Sequence, residues 1–202
     1  MRAAYRKIGF DIRGHGEDEP TFATHGILEG KDLAELIKDT RKRYPQISEL
    51  GLHGESFGAS TTIEALAYEP DVDFAVSDCA FADLKSVLVQ KLSSAHMPGF
   101  LVPLADIGVR VRYGYSLDDM RPIDALDGNT VPILFIQGDS DTMVPPQSAR
   151  ELYDRATSKR ELHYVAGADH AESILVAPEE YREVVEGFLG HLEATDLEGS
   201  TK

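Results

Sequence analysis

A serine, a carboxylate and an imidazole each follow a run of apolar residues in this chain. Gly54-Glu55-Ser56-Phe57-Gly58 matches the pattern G-x-S-x-G. It follows ISELGLH, which reads as a strand, and opens STTIEALAY, which reads as a helix. A serine at such a corner is held on a tight turn with its hydroxyl exposed. The helix start beyond it offers N–H groups and a positive partial charge, so the N–H of Phe57 would face a developing oxyanion. The blander reading of the same residues is a glycine-rich helix cap.

A serine hydroxyl is a weak nucleophile at neutral pH and needs a base beside it. His170, in VAGADHAES, lies in a loop just after the last expected strand, where open sheets place reactive groups. The other histidines fit other places. His163 lies within a strand pattern and His191 on the terminal helix. His15 and His25 flank an early turn, and His53 reads as a buried strand residue. His96 is the second candidate base. An acid must orient the imidazole and stabilise it when protonated. Asp141, in QGDSDTMVPP, directly follows the most apolar run. Asp139 is better suited to capping the turn through backbone N–H groups. Asp78, at the end of an earlier strand, is a third candidate acid.

The elements that must position these groups alternate between short apolar runs and amphipathic stretches. That alternation is the mark of βαβ units around a mostly parallel sheet, with helices on both faces. Strands are expected at Tyr5 to Ile12, Ile47 to His53, Val72 to Ser77, Val131 to Gln137 and Glu161 to Val165. Helices are expected at Gly26 to Tyr44, just after Ser56, at Pro146 to Ala156, and from Pro178 to about Glu193. VPILFIQ is almost wholly apolar, as a strand covered on both faces should be. Residues 82–120 break the rhythm and read as an inserted helical cap; the plainer reading is two packing helices. The chain reads as one domain over residues 1–202, with a frayed tail at 194–202.

Composition narrows the function classes. A net charge of −15 over 202 residues is poor footing for nucleic acid. No apolar run approaches the ~20 residues that cross a bilayer. The start has no apolar leader core, so it does not read as a signal peptide. The single cysteine, Cys79, excludes an internal disulfide, fits a reducing compartment and so favours the cytoplasm; as a residue it reads as a small buried hydrophobe. The site calls for no metal and no organic cofactor. The expected partner is a small-molecule substrate, and oligomeric state stays open.

The runs FDIRGHGED, GLHGESFGAS, VPILFIQGDSDTMVP and GADHAES, in that order, resemble the α/β-hydrolase superfamily, in its bacterial peptidase-like and acyl-esterase-like branch. The resemblance extends from about Tyr5 to Leu192. It implies a three-layer α/β-hydrolase sandwich and a serine hydrolase with Ser56 as nucleophile, His170 as general base and acid, and Asp141 as its orienter. It makes Asp11 to Gly16 a structural turn, so His15 is not catalytic. It also implies further N-terminal strands and a loop with a second oxyanion donor, for which the ten residues before Asp11 leave no room. The chain thus reads as N-terminally truncated, and its first strand, Tyr5 to Ile12, is expected to be displaced or poorly paired. The function implied is cleavage of carboxylic esters, with thioesters or amides open, through an acyl-enzyme on Ser56. The alternative is a non-catalytic remnant or binding scaffold.

Overall fold

The structure, a computed structural model, describes residues 6–17, 21–24 and 26–199. Among these residues four parallel strands stand side by side in chain order: β1 (Gly51–Glu55), β2 (Phe74–Asp78), β3 (Ile133–Gly138) and β4 (Arg160–Val165). Gly51 lies opposite Phe74, Ala75 opposite Ile133, and Ile133 opposite Arg160. Parallel neighbours need crossovers, and helices supply them. α1 (Ile27–Arg43) precedes the sheet, α2 (Phe57–Leu66) joins β1 to β2, and α5 (Gln147–Arg155) joins β3 to β4. Between β2 and β3 lie α3 (Leu84–Ser94), α4 (Leu101–Tyr113) and two 3-10 turns. A short α6 (Ser173–Val176) and a long α7 (Pro178–Gly199) follow β4.

The apolar run of β3 is explained by its two faces. Ile133 and Phe135 pack with Ile63 of α2, Leu33 and Ile37 of α1 and Leu152 of α5. Leu134 and Ile136 turn the other way, onto Tyr181 and Phe188 of α7. Each such side chain contributes roughly 1.5–3 kcal/mol by burial. The sheet is therefore the middle of three layers, and the fold is that of an α/β-hydrolase.

α1 is started by side chains. The buried Glu29 carboxylate accepts the N–H groups of Thr24 (2.7 Å) and Gly26 (3.0 Å), and Leu28 N–H donates to Thr24 Oγ1 at 2.7 Å. Its buried Leu33, Ala34 and Ile37 recur at helical spacing. Arg41 then reaches Asp73 at 2.8 Å, whose carboxylate also accepts Leu50 N–H at 2.7 Å. That pins the entry to β1 against the entry to β2.

Four expectations need correction. Residues 6–12 of the expected Tyr5 to Ile12 strand form no strand, while Tyr5 and His25 lie outside the described residues. Alternation without a partner ladder leaves backbone groups unpaired, and this stretch stays irregular and leads into a turn over 13–17. His15 N–H donates to Ile12 O at 2.9 Å, Glu17 N–H to Asp11 Oδ2 at 2.9 Å, and Arg13 grips Asp32 of α1. Ile47 to Leu50 is irregular, and β1 begins at Gly51. His53 is exposed on β1 rather than buried, its Nε2 2.8 Å from the hydroxyl of Tyr181. α7 runs to Gly199, past the expected end near Glu193, because no proline or glycine intervenes between Leu192 and Glu198.

Residues 82–120 carry α3 and α4 around a small core of their own. Val102, Leu117 and Met120 are buried there, with Leu84, Leu88 and Leu92 packed on them. The outer side of α4 leaves Leu104, Ile107 and Val111 exposed.

Candidate active site

Ser56 sits between the end of β1 and the start of α2, with φ +54°. A side-chain-bearing residue rarely holds that conformation, so its surroundings must enforce it. Its N–H donates to Asp78 O at 2.8 Å, and its carbonyl accepts Ser60 N–H at 3.1 Å. The turn is so tight that a Cβ on Gly54 would lie 2.1 Å from the carbonyl oxygen of Gly58. Gly58 itself has open space where a Cβ would go. The steric need for glycine is thus at the first position and not at the second.

The strand ends bring the other two groups to this corner. Ser56 Oγ is 2.6 Å from His170 Nε2, and His170 Nδ1 is 2.9 Å from Asp141 Oδ2. Asp141 is fully buried at its side chain, while the His170 side chain keeps 13% exposure. With Asp141 ionised, Nδ1 donates to it and Nε2 is left to accept the serine hydroxyl. Phe57 follows Ser56 as the first residue of α2.

The carboxylate of Asp141 is held on every side. Oδ1 accepts the N–H groups of Met143 and Val144, both at 2.8 Å, and Oδ2 also accepts Gln137 Nε2 at 2.7 Å. Burial pushes its pKa up, but the hydrogen bonds from His170, Val144 and Met143 outweigh that and hold it below the ordinary carboxylate value. The bond to Asp141 raises the pKa of His170, against the burial that lowers it.

Asp139 is turned away from His170. Its Oδ1 accepts Gly167 N–H at 2.7 Å and the Ser140 hydroxyl at 2.9 Å. Asp78 lies within bonding distance of Ser173 Oγ, 3.1 Å, and not of the imidazole; burial lifts its pKa to about 6. Neither alternative acid reaches His170 by a hydrogen bond. His96 ends the turn after α3, and its N–H donates to Ser93 O. His163 bonds Glu180 at 2.7 Å and His191 bonds Glu161 at 2.9 Å, both on the flank of α7. His15 contacts Arg13 O, and its ring lies 6.0 Å from that of Phe57.

Two residues that sequence reasoning passed over serve this site. Gln137 is a polar residue, wholly buried, at the end of an otherwise apolar strand, and that mismatch was a visible signal. Asp169 ties the two loops together: its Oδ1 accepts Thr142 N–H at 2.7 Å and His170 N–H at 2.8 Å. Only its place beside His170 hinted at this. A Cβ on Gly138 would lie 2.3 Å from Ala168 O, so the same two loops also meet backbone to backbone.

A sequence model of the prolyl oligopeptidase family matches residues 10–194. The chain belongs to the prolyl oligopeptidase family. Among solved structures, this family member is similar to the Pyrococcus furiosus esterase Pf2001: 25% identity and a TM-score of 0.71, over 90% of this chain and 68% of that one. It shares the fold of the Pyrococcus horikoshii acylaminoacyl peptidase at 15% identity and a TM-score of 0.54, over 81% of this chain and 27% of that one. It is 29% identical over 187 residues to the uncharacterized protein YqkD of Bacillus subtilis (strain 168), which covers 91% of this chain. The chain spans 61% of the length of that relative. No helix among the described residues is long and apolar enough to cross a membrane.

Proposed function

We propose that this chain carries the catalytic centre of a serine hydrolase that cleaves carboxylic esters of small acyl substrates. The observation that carries the reading is the unbroken line from Ser56 Oγ to His170 at 2.6 Å and from His170 to Asp141 at 2.9 Å. In the reaction, Ser56 Oγ attacks the carbonyl carbon while its proton passes to Nε2 of His170. The oxyanion is met by the N–H of Phe57 at the start of α2. The imidazolium then protonates the leaving alkoxide, and an acyl-enzyme on Ser56 remains. Water enters by the same route and gives a proton to His170, which returns it to Ser56 Oγ as the acyl bond breaks and the acid leaves. Asp141 holds the imidazole with its Nδ1 proton inward and balances its charge when doubly protonated. None of these steps uses a cofactor.

The resemblance to the Pf2001 esterase supports the ester as substrate. The segment over α3 and α4 is the proposed cap, and its apolar residues suit an acyl group. The family match favours a second substrate class, peptide amides. A matched pair of p-nitrophenyl ester and p-nitroanilide with the same acyl group separates the two. The expected result is turnover of the ester well above that of the anilide, lost in Ser56→Ala and His170→Ala. Preferential cleavage of the anilide would transfer the reading to peptides. No turnover of either by the folded chain would leave a binding scaffold. A cytoplasmic location is part of the same proposal, which the lone reduced cysteine suits.

A further inference from the structure

Cys79 follows β2 at the back of the proposed catalytic line. It is 0% exposed and holds φ +51°. One ligand atom each from Cys79, Asp141 and His170 lie within 4.8 Å of one another. Two of the three are the acid and base of the reaction, so whatever bridges them stops it. We propose that these three side chains form an inhibitory site for a thiophilic divalent cation, Zn2+ or Cd2+; the inhibition, though not the binding, rests on the hydrolase reading above.

The donor set is one thiolate, one imidazole and one carboxylate, which suits a d10 cation and leaves a fourth position open. Hard cations such as Mg2+ and Ca2+ prefer oxygen ligands throughout and are not expected here. Donors around a tetrahedral zinc lie roughly 3.5 Å apart, so the Asp141–His170 pair opens from 2.9 Å while Cys79 closes in by up to about 1 Å. Nδ1 is the nitrogen involved, because it faces Asp141 Oδ2 at 2.9 Å while Nε2 faces Ser56. The His170 side chain, 13% exposed beside a 0% exposed Asp141, is the side from which a cation enters.

The proton accounting gives the inhibition. The metal–sulfur bond forms as the thiol proton leaves to solvent. The metal–nitrogen bond forms at Nδ1, whose proton passes by way of solvent to Nε2. A neutral imidazole then carries its one proton on Nε2. That nitrogen can donate to Ser56 Oγ but cannot take its proton, and the serine loses its base.

Proton competition shapes the affinity. Burial and the neighbouring Asp78 and Asp141 push the Cys79 thiol up to about 12, against the N–H groups of Ala171 and Ser56 that pull it down. Tyr181 of α7 and His170 also face it. Metal binding releases the thiol proton, so binding strengthens as pH rises.

Cys79 is the sole cysteine, so the ultraviolet charge-transfer absorption of a Cd2+–thiolate bond reports on this site alone. The test titrates the folded chain with Cd2+, following that band, and with Zn2+, following ester hydrolysis, with Mg2+ as control. The expected result is a saturable band and inhibition by Zn2+ but not Mg2+, both tightening from pH 6.5 to 8.5. In Cys79→Ala or Cys79→Ser the band disappears, and the Zn2+ midpoint rises at least tenfold. Absence of the band in the folded wild-type chain overturns the proposal, as does an unchanged Zn2+ midpoint in a folded Cys79 variant. If neither variant folds, the wild-type band alone decides. A band in a chain that hydrolyses no ester keeps the binding site and removes only the reading of Ser56.

Discussion

The imidazole of His170, the proposed general base, is gripped from both sides, and the grip sets the pH at which it would act. Asp141 raises its pKa above the ordinary 6.5, with burial opposing. A general base must be unprotonated, so the rate rises with pH through a limb that lies above 6.5. In Asp141→Asn the limb moves down and kcat falls by roughly 10³–10⁴, because the tautomer is no longer enforced. A pH profile of kcat/KM on the two proteins checks both statements. Asp139→Asn, by contrast, loses a turn contact to Gly167 and is expected to keep its limb. Equal losses in Asp139→Asn and Asp141→Asn would overturn the choice of acid. Gln137 belongs to the same scale. Its amide leaves Asp141 Oδ2 no freedom, so Gln137→Leu should lower kcat more than KM in steady-state assays.

The site is made where elements end. β1, β3 and β4 deliver Ser56, Asp141 and His170 to one edge of a four-stranded parallel sheet. These positions were legible because each follows an apolar run and a strand's end fixes its next residues. The loop-to-loop ties were not legible, since a hydrogen bond from Thr142 to Asp169 has no pattern along the chain. Asp169→Ala should therefore cut kcat by about tenfold through misplacement of His170, with the fold intact by circular dichroism. The two glycines around Ser56 make a paired test. Gly54→Ala drives a Cβ into backbone at 2.1 Å and should abolish folding or activity, whereas Gly58→Ala meets open space. Equal damage from both would show the turn to be built otherwise. The first strand failed for the reason its own neighbours gave. Residues 6–12 have the alternation of a strand but no ladder to join, and Ile8 and Phe10 stay exposed.

At the scale of the whole molecule, buried acids set how stability follows pH. Glu64 of α2 is pushed by burial, with Asp124 and Glu29 adding repulsion, from 4.5 to about 7, and its Oε1 has no hydrogen-bond partner among the described residues. The folded state thus holds this proton more tightly than the unfolded chain. The stability it contributes is fully present below 4.5 and is lost as pH rises through about 7. The swing is ~3 kcal/mol by that difference. Thermal melting across pH 5 to 8 should show Glu64→Gln gaining on the wild type as pH rises; a constant gap would contradict it. The three layers and the strand order bear on the central proposal, that the corner of β1 holds a serine whose hydroxyl is activated. Reaction with a fluorophosphonate probes that hydroxyl directly. The account predicts a covalent adduct on the peptide containing Ser56, slowed greatly in His170→Ala and absent in Ser56→Ala. A folded wild-type chain that takes up no probe, or one labelled equally well without Ser56, would contradict it.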